Sequence, residues 1–453
     1  TRFKDDSSHE TPNMSIPRNP PPAALAWSVW GLGAGLFLLG FFHRVAPAVL
    51  HRELSVDFGL NATSLGSLSA LYFYSYVAMQ IPTGLIADRV GPRRLLIGGI
   101  IISTLGAILF ALAPSLFWAG LGRFLIGGSV AVGFVCTLKL ATHWLPAEQF
   151  SLAAGLLLVA GMMGAVFAGV PLHLASDAVG WRVVTLVVSA IGLFLALAVW
   201  FIVRDDPTEK GFASYVEQGR STSRRAGELQ NLKSVFAYRN TWLLALAPGG
   251  IVGSVLAFSG LWGMPFLTDV YQLPTNIAAM LCSGIMLSWA FSGPLFGLFS
   301  ERLKNRRILY LSGALLALGC WSLVILMPGL PLWALVVSLL GAGFFSGGMI
   351  LGFTQAKESV PISLSGTVSG VVNMGVMCGP MILQPLIGWL LDKLWQGGFD
   401  ASGLRTYGYE SYRLGFSLML IWLVISVISI SLSKETHARQ LSERYDTGLN
   451  KLN

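Results

Sequence analysis

Twelve apolar segments follow one another along the chain, near residues 23–50, 63–86, 95–113, 115–145, 150–173, 182–203, 241–266, 276–299, 308–327, 331–356, 364–391 and 414–433. A helix needs about 20 such residues to cross the hydrocarbon core, where every backbone polar group must be satisfied within the segment. The pattern therefore predicts an all-α polytopic membrane protein. Composition agrees, since only 11% of the 453 residues are charged and 54% are hydrophobic, against roughly 25% charged in a soluble domain. A soluble α/β enzyme, a nucleic-acid binder and a disulfide-stapled domain are excluded on that ground. Cys136, Cys282, Cys320 and Cys378 lie inside apolar runs without CxxC spacing and read as small core residues, not as disulfides or metal ligands. The first 22 residues are polar and Pro-rich, so the first apolar segment is expected to be an uncleaved span.

The longest polar stretch, 204–239, divides the chain into two halves of six spans. The expected organisation is an N-terminal tail (1–22), a six-helix bundle (23–203), a linker (204–240), a second bundle (241–433) and a C-terminal tail (434–453). Placing both termini and the linker in the cytoplasm puts 21 of the 30 Lys and Arg in cytoplasmic loops and tails, five outside (Arg52, Arg182, Lys393, Arg405, Arg413) and four within spans. That is the orientation the positive-inside rule demands. Short exterior loops suit a bacterial cytoplasmic membrane. Asn61-Ala62-Thr63 is a glycosylation sequon, but just before a span it reads as a helix cap.

The halves repeat. After the second span the chain reads Gly84-Leu85-Ile86-Ala87-Asp88-Arg89-Val90-Gly91-Pro92-Arg93-Arg94, and after the eighth Gly297-Leu298-Phe299-Ser300-Glu301-Arg302-Leu303-Lys304-Asn305-Arg306-Arg307. Glycine, acid, arginine and the closing basic pair recur at identical spacing, which marks an internal duplication. The first loop matches G-x-x-x-D-R-x-G-R-R/K, with Pro92 as a spacer, and the fourth span opens with Arg123-Phe124-Leu125-Ile126-Gly127. On these motifs the chain resembles the major facilitator superfamily of secondary transporters. The resemblance implies two six-helix bundles related by a pseudo-two-fold axis, alternating access, a monomer, and no enzymatic activity or bound cofactor beyond coupling to a proton gradient. It also implies that Asp88, Arg89 and Arg93, with Glu301, Arg302 and Arg306, serve the cytoplasmic gate.

Charges inside the membrane give the best guide to what is carried. Arg44 lies in the outer half of the first span and Lys139 in the inner half of the fourth, and no Asp or Glu lies deep in any span. A cation in a span costs at least roughly 2.5–3.5 kcal/mol unless it faces water or a partner. Cations without anions point to a small anionic solute as the missing partner. Arg123 is expected to serve packing or gating instead.

An arginine in the outer half of an aromatic-rich first span resembles the anion:cation symporter branch, where that residue binds phosphate or carboxylate. The resemblance implies a cavity position for Tyr76 and a polar site at Lys139. The phosphate exchangers' cations are absent at Gln80 and Val45 and throughout 241–266, so a carboxylate is expected ahead of a sugar phosphate. Tyr72 shares a helix face with Tyr76, Gln80 on the same span is a further candidate contact with the solute, and Trp262, Asn373 and Gln384 are expected on the opposite wall. His43, beside Arg44, is the candidate coupling residue; proton symport and anion exchange both stay open. Three alternatives compete: a larger polycarboxylate such as a carboxylate siderophore, a drug/proton antiporter, and a non-transporting sensor of the same fold.

Overall fold

The computed structural model describes residues 19–215, 228–400 and 403–441. Residues 1–18, 216–227 and 442–453 of the expected tails and linker lie outside the described residues, as does the side chain of Asp88. Among the described residues, 11 helices are long and apolar enough to cross a membrane: Ala23–Val49, Pro92–Ala111, Leu116–Trp144, Ala147–Val179, Trp181–Ile202, Arg239–Asp269, Thr275–Leu303, Arg306–Leu326, Leu332–Glu358, Ile362–Lys393 and Tyr409–Leu432. These are the first span and the third to twelfth. Ala62–Val90, 29 residues long, is the second. It is less apolar because Ser64, Ser67, Ser69, Ser75, Gln80 and Thr83 interrupt it. Its polar stripe can be tolerated because the helix packs along the fourth and eleventh spans.

Glycine and proline break several spans. The fourth divides at Ala131 and the fifth at Ala168-Gly169. The seventh passes through a π-helical turn at Phe258–Trp262, a local widening common at functional sites. Outside the membrane, His51–Phe58 forms a short helix ended by Gly59 at φ 62°. Asn61 begins the second span as a helix cap: its side chain accepts from the Ser64 backbone N–H at 2.9 Å.

Each bundle is closed by the same device. Gly91 turns the chain at φ 90°, a conformation that favours glycine, and starts the third span at Pro92. Asp205, just past the end of the sixth span, accepts from the Arg93 backbone N–H at 2.6 Å. In the second half Glu435, just past the twelfth span, accepts from the backbone N–H groups of Arg306 (3.0 Å) and Arg307 (2.6 Å) at the start of the ninth. A carboxylate at a helix N-terminus satisfies free N–H groups and complements the helix dipole. The duplication thus extends beyond the loop motif.

Between halves, the second span packs on the eleventh, the first on the π turn of the seventh, and the fifth on the eighth. At the fifth–eighth contact, a Cβ on Gly169 would lie 2.3 Å from the Ser283 hydroxyl.

Candidate functional site

The polar stripe of the second span organises the interior as a series of layers. Near the exterior, Gly66 lies so close to the eleventh span that a Cβ there would sit 2.5 Å from the Gln384 carbonyl. That carbonyl also accepts from the Trp262 indole at 2.9 Å, while the Gln384 amide donates to the Leu256 carbonyl at 3.2 Å. Trp262 and Gln384 therefore bond to one another's elements, and the indole N–H is already spent. The Gln384 Oε1 atom is buried without a partner.

One layer further in stands Arg44, 2% exposed. Its guanidinium carbon lies 4.2 Å from the ring centroid of Phe41, 5.2 Å from Tyr76 and 5.6 Å from Tyr72. Tyr72 and Tyr76 share a face as expected, stacked with centroids 6.0 Å apart and planes at 15°. Tyr72 is fixed by donating its hydroxyl to the Gly40 carbonyl at 2.9 Å. Ring faces stabilise a buried cation by up to about 2 kcal/mol each, but they do not neutralise it. The guanidinium donates hydrogen bonds to the Tyr72 and Tyr76 side chains, its Nε has no partner, and no ion pair joins Arg44 to an acid among the described residues.

Arg123 occupies the same layer and holds it together. It donates to the His43 carbonyl at 2.5 Å and to the Ser69 carbonyl at 3.4 Å, and stacks 5.2 Å from the Tyr72 ring. Gly127, one turn on, brings the fourth span against the second so closely that a Cβ would lie 2.0 Å from the Tyr72 carbonyl. The R-x-x-x-G element thus grips Tyr72 twice and tethers the residue preceding Arg44. His43 packs edge-on against Phe42, at 5.5 Å and 83°.

Inward again, Asn373 donates to the Gln80 side-chain oxygen at 2.9 Å, joining the eleventh span to the second. Both were expected on the cavity wall, and they meet across it. Lys139 does not join Arg44. A Cβ on Gly33 of the first span would touch Thr137 at 2.6 Å, which places Lys139 further inward than Gly33. Arg44 lies more than ten residues along the same helix toward the exterior, roughly 20 Å away at 1.5 Å per residue. Their backbones thus stand at different depths of the interior.

The expected gate residues separate similarly. Arg306 is buried and bonds Glu358 at 3.1 Å and Ser300 at 2.7 Å, with Glu301 at 3.7 Å. Arg302 and Arg89 are exposed. Arg93 donates to the Trp200 carbonyl at 2.7 Å and stacks over its ring at 5.4 Å. Each of these resolved contacts lies within one half.

The sequence model described as the Major Facilitator Superfamily matches residues 31–382 and, again, 264–444. The chain belongs to this superfamily. It is a secondary transporter, not an enzyme, and a multi-pass protein of the bacterial inner membrane. Among its relatives in the superfamily, an uncharacterized transporter of Bacillus subtilis, YybO, is 25% identical over 86% of this chain and 93% of its own length. The probable sulfoacetate transporter SauU of Cupriavidus necator is 24% identical over 82% and 88%. The probable galactarate/D-glucarate transporter GarP of Escherichia coli is 23% identical over 79% and 86%. Among solved superfamily folds, a bacterial homolog of the human lysosomal transporter Spinster, inward-facing and unoccupied, superposes with a TM-score of 0.73 at 20% identity, covering 91% of this chain and 97% of that one.

Arg123, which the sequence assigns to packing or gating, holds backbone carbonyls of the first and second spans. Asp392, in the last turn of the eleventh span, is not singled out by the sequence.

Proposed function

We propose that the protein transports a small organic anion, a carboxylate, with Arg44 as the group that receives the acid. The observation that carries this reading is a buried arginine enclosed by three aromatic faces and unmatched by any acid among the described residues. A guanidinium presents paired donors that match a carboxylate in bidentate fashion. The charge type of the relatives' named solutes, sulfoacetate and galactarate/D-glucarate, supports the same class. Tyr76 beside Arg44 supplies a hydroxyl, and the Gln80–Asn373 pair lies next inward for polar groups on the rest of the solute. Lys139 acts later on the path, as positive potential nearer the cytoplasm.

The test is thermal stabilisation by a panel of carboxylates, organophosphates, polycarboxylates and cationic drugs, followed by flux in proteoliposomes. A charge-assisted hydrogen bond contributes about 1.5–3 kcal/mol, so Arg44→Gln should weaken carboxylate binding by roughly 10- to 100-fold. Carboxylate binding indifferent to Arg44→Gln, or stabilisation by cationic drugs alone, overturns the proposal.

A further inference from the structure

At the exterior one carboxylate of the C-terminal half caps a helix of the other. Asp392, in the last turn of the eleventh span, accepts from the backbone N–H groups of Ala62 (3.3 Å) and Thr63 (2.7 Å) and from the Thr63 hydroxyl (2.6 Å). Ala62 and Thr63 open the second span, which belongs to the other half. Asn61 caps only the next N–H, that of Ser64. The first two donors of the helix are therefore satisfied by an acid from across the interface, where the positive end of the helix dipole favours a negative charge.

Two residues of its own half aim the carboxylate. Tyr407 donates to it at 2.7 Å and Arg405 at 3.2 Å, while the Tyr407 oxygen also accepts from the Ala62 N–H at 3.3 Å. Gly388 lets the backbones meet, since a Cβ there would lie 2.3 Å from the Ala62 carbonyl. A second cross-half pair, Arg52 with Asp400, is more exposed on its arginine side, and exposed pairs contribute little. Among the described residues, the other cross-half hydrogen bond is Gln80–Asn373, toward the cytoplasm.

We propose that Asp392 is the exterior latch of the transport cycle, a positioning residue that seals the outside by capping the second span in trans and must release it whenever the exterior opens. Opening strips the carboxylate of its three donors from the N-terminal half and leaves two N–H groups of the second span without acceptors. The latch therefore sets the balance between exterior-closed and exterior-open states independently of which solute is carried.

The test uses sided labelling. Leu65, 5% exposed at the sealed exterior, is replaced by cysteine in a background lacking the four native cysteines, and membrane-impermeant maleimide is applied to right-side-out vesicles. Asp392→Asn replaces one acceptor oxygen with donors facing Ala62 and Thr63, and should raise the exterior labelling rate on the order of tenfold. Thr63→Val removes only the hydroxyl and should shift labelling in the same direction by a smaller factor. Asp400→Asn should shift it least. A cysteine placed on the cytoplasmic side should become less reactive in Asp392→Asn. Unchanged exterior labelling in both Asp392→Asn and Thr63→Val overturns the proposal, as does faster labelling from both sides, which would mean general loosening. If Asp392→Asn fails to fold, Thr63→Val and Tyr407→Phe carry the test.

Discussion

Three arginines are buried among the described residues, and they divide by region. At the cytoplasmic edge of the C-terminal half, Arg306 is matched by Glu358, Glu301 and the Ser300 hydroxyl. In the core of the N-terminal half, Arg44 and Arg123 lie under the faces of Tyr72 and its neighbours without an acid among the described residues. The first arrangement closes its own charge account. The second leaves positive charge where lipid or protein alone would not hold it cheaply. Arg306 shapes the fold with its counter-ion in place, Arg123 does so through the His43 and Ser69 carbonyls, and Arg44, in the proposed reading, takes its counter-ion from the solute.

That comparison yields effects in descending order. Arg306→Gln should be the largest, because it strands the half-buried Glu358; breaking such a pair costs about 3–5 kcal/mol. The expected result is a steep fall in melting temperature, with ligand affinity in the surviving folded protein unchanged. Arg44→Gln should do the reverse, leaving the unliganded melting temperature at or above the parent's while roughly 10- to 100-fold in carboxylate affinity is lost. A large drop in unliganded stability for Arg44→Gln would place it in the same class as Arg306 and break the distinction. Tyr72→Phe removes the hydroxyl bonded to the Gly40 carbonyl and should lower stability by about 1 kcal/mol, read as a small shift in melting temperature.

One further effect, read against pH, concerns Asp206 in the linker. Burial pushes its carboxyl up, but bonds from Thr208, His143 and Ser214 outweigh that and hold it down to about 2. Its folded value lies below the unfolded one of about 3.9, so its stabilisation is present above that value and is lost as pH falls toward 2. Asp206→Asn should therefore lower the melting temperature at neutral pH, and the gap from the parent should narrow as the pH drops below about 4. A gap independent of pH would assign the effect to shape instead of charge.

The span count, the duplication and the Arg44–Tyr72–Tyr76 cluster are legible in the sequence because each rests on a local or repeated pattern. Hydrophobic length marks the spans, helical spacing pairs the tyrosines, and cation without anion marks Arg44. The rest is not local. Gln80 and Asn373 are far apart in the chain and meet only because the second and eleventh spans pack side by side. Arg44 and Lys139 look alike as intramembrane cations, yet helix rise separates them by roughly 20 Å. Asp392 carries no local pattern, because the N–H groups it caps belong to a helix start contributed by the other half.

The carboxylates past the sixth and twelfth spans have a mechanical consequence. Asp205 fastens the end of the first bundle to the start of its third span, and Glu435 fastens the end of the second bundle to the start of its ninth. Spans three to six and nine to twelve are thereby each closed into a hoop instead of an open string. A torque delivered to one helix of the hoop is carried to the others in it, so those four spans of each half resist being sheared apart.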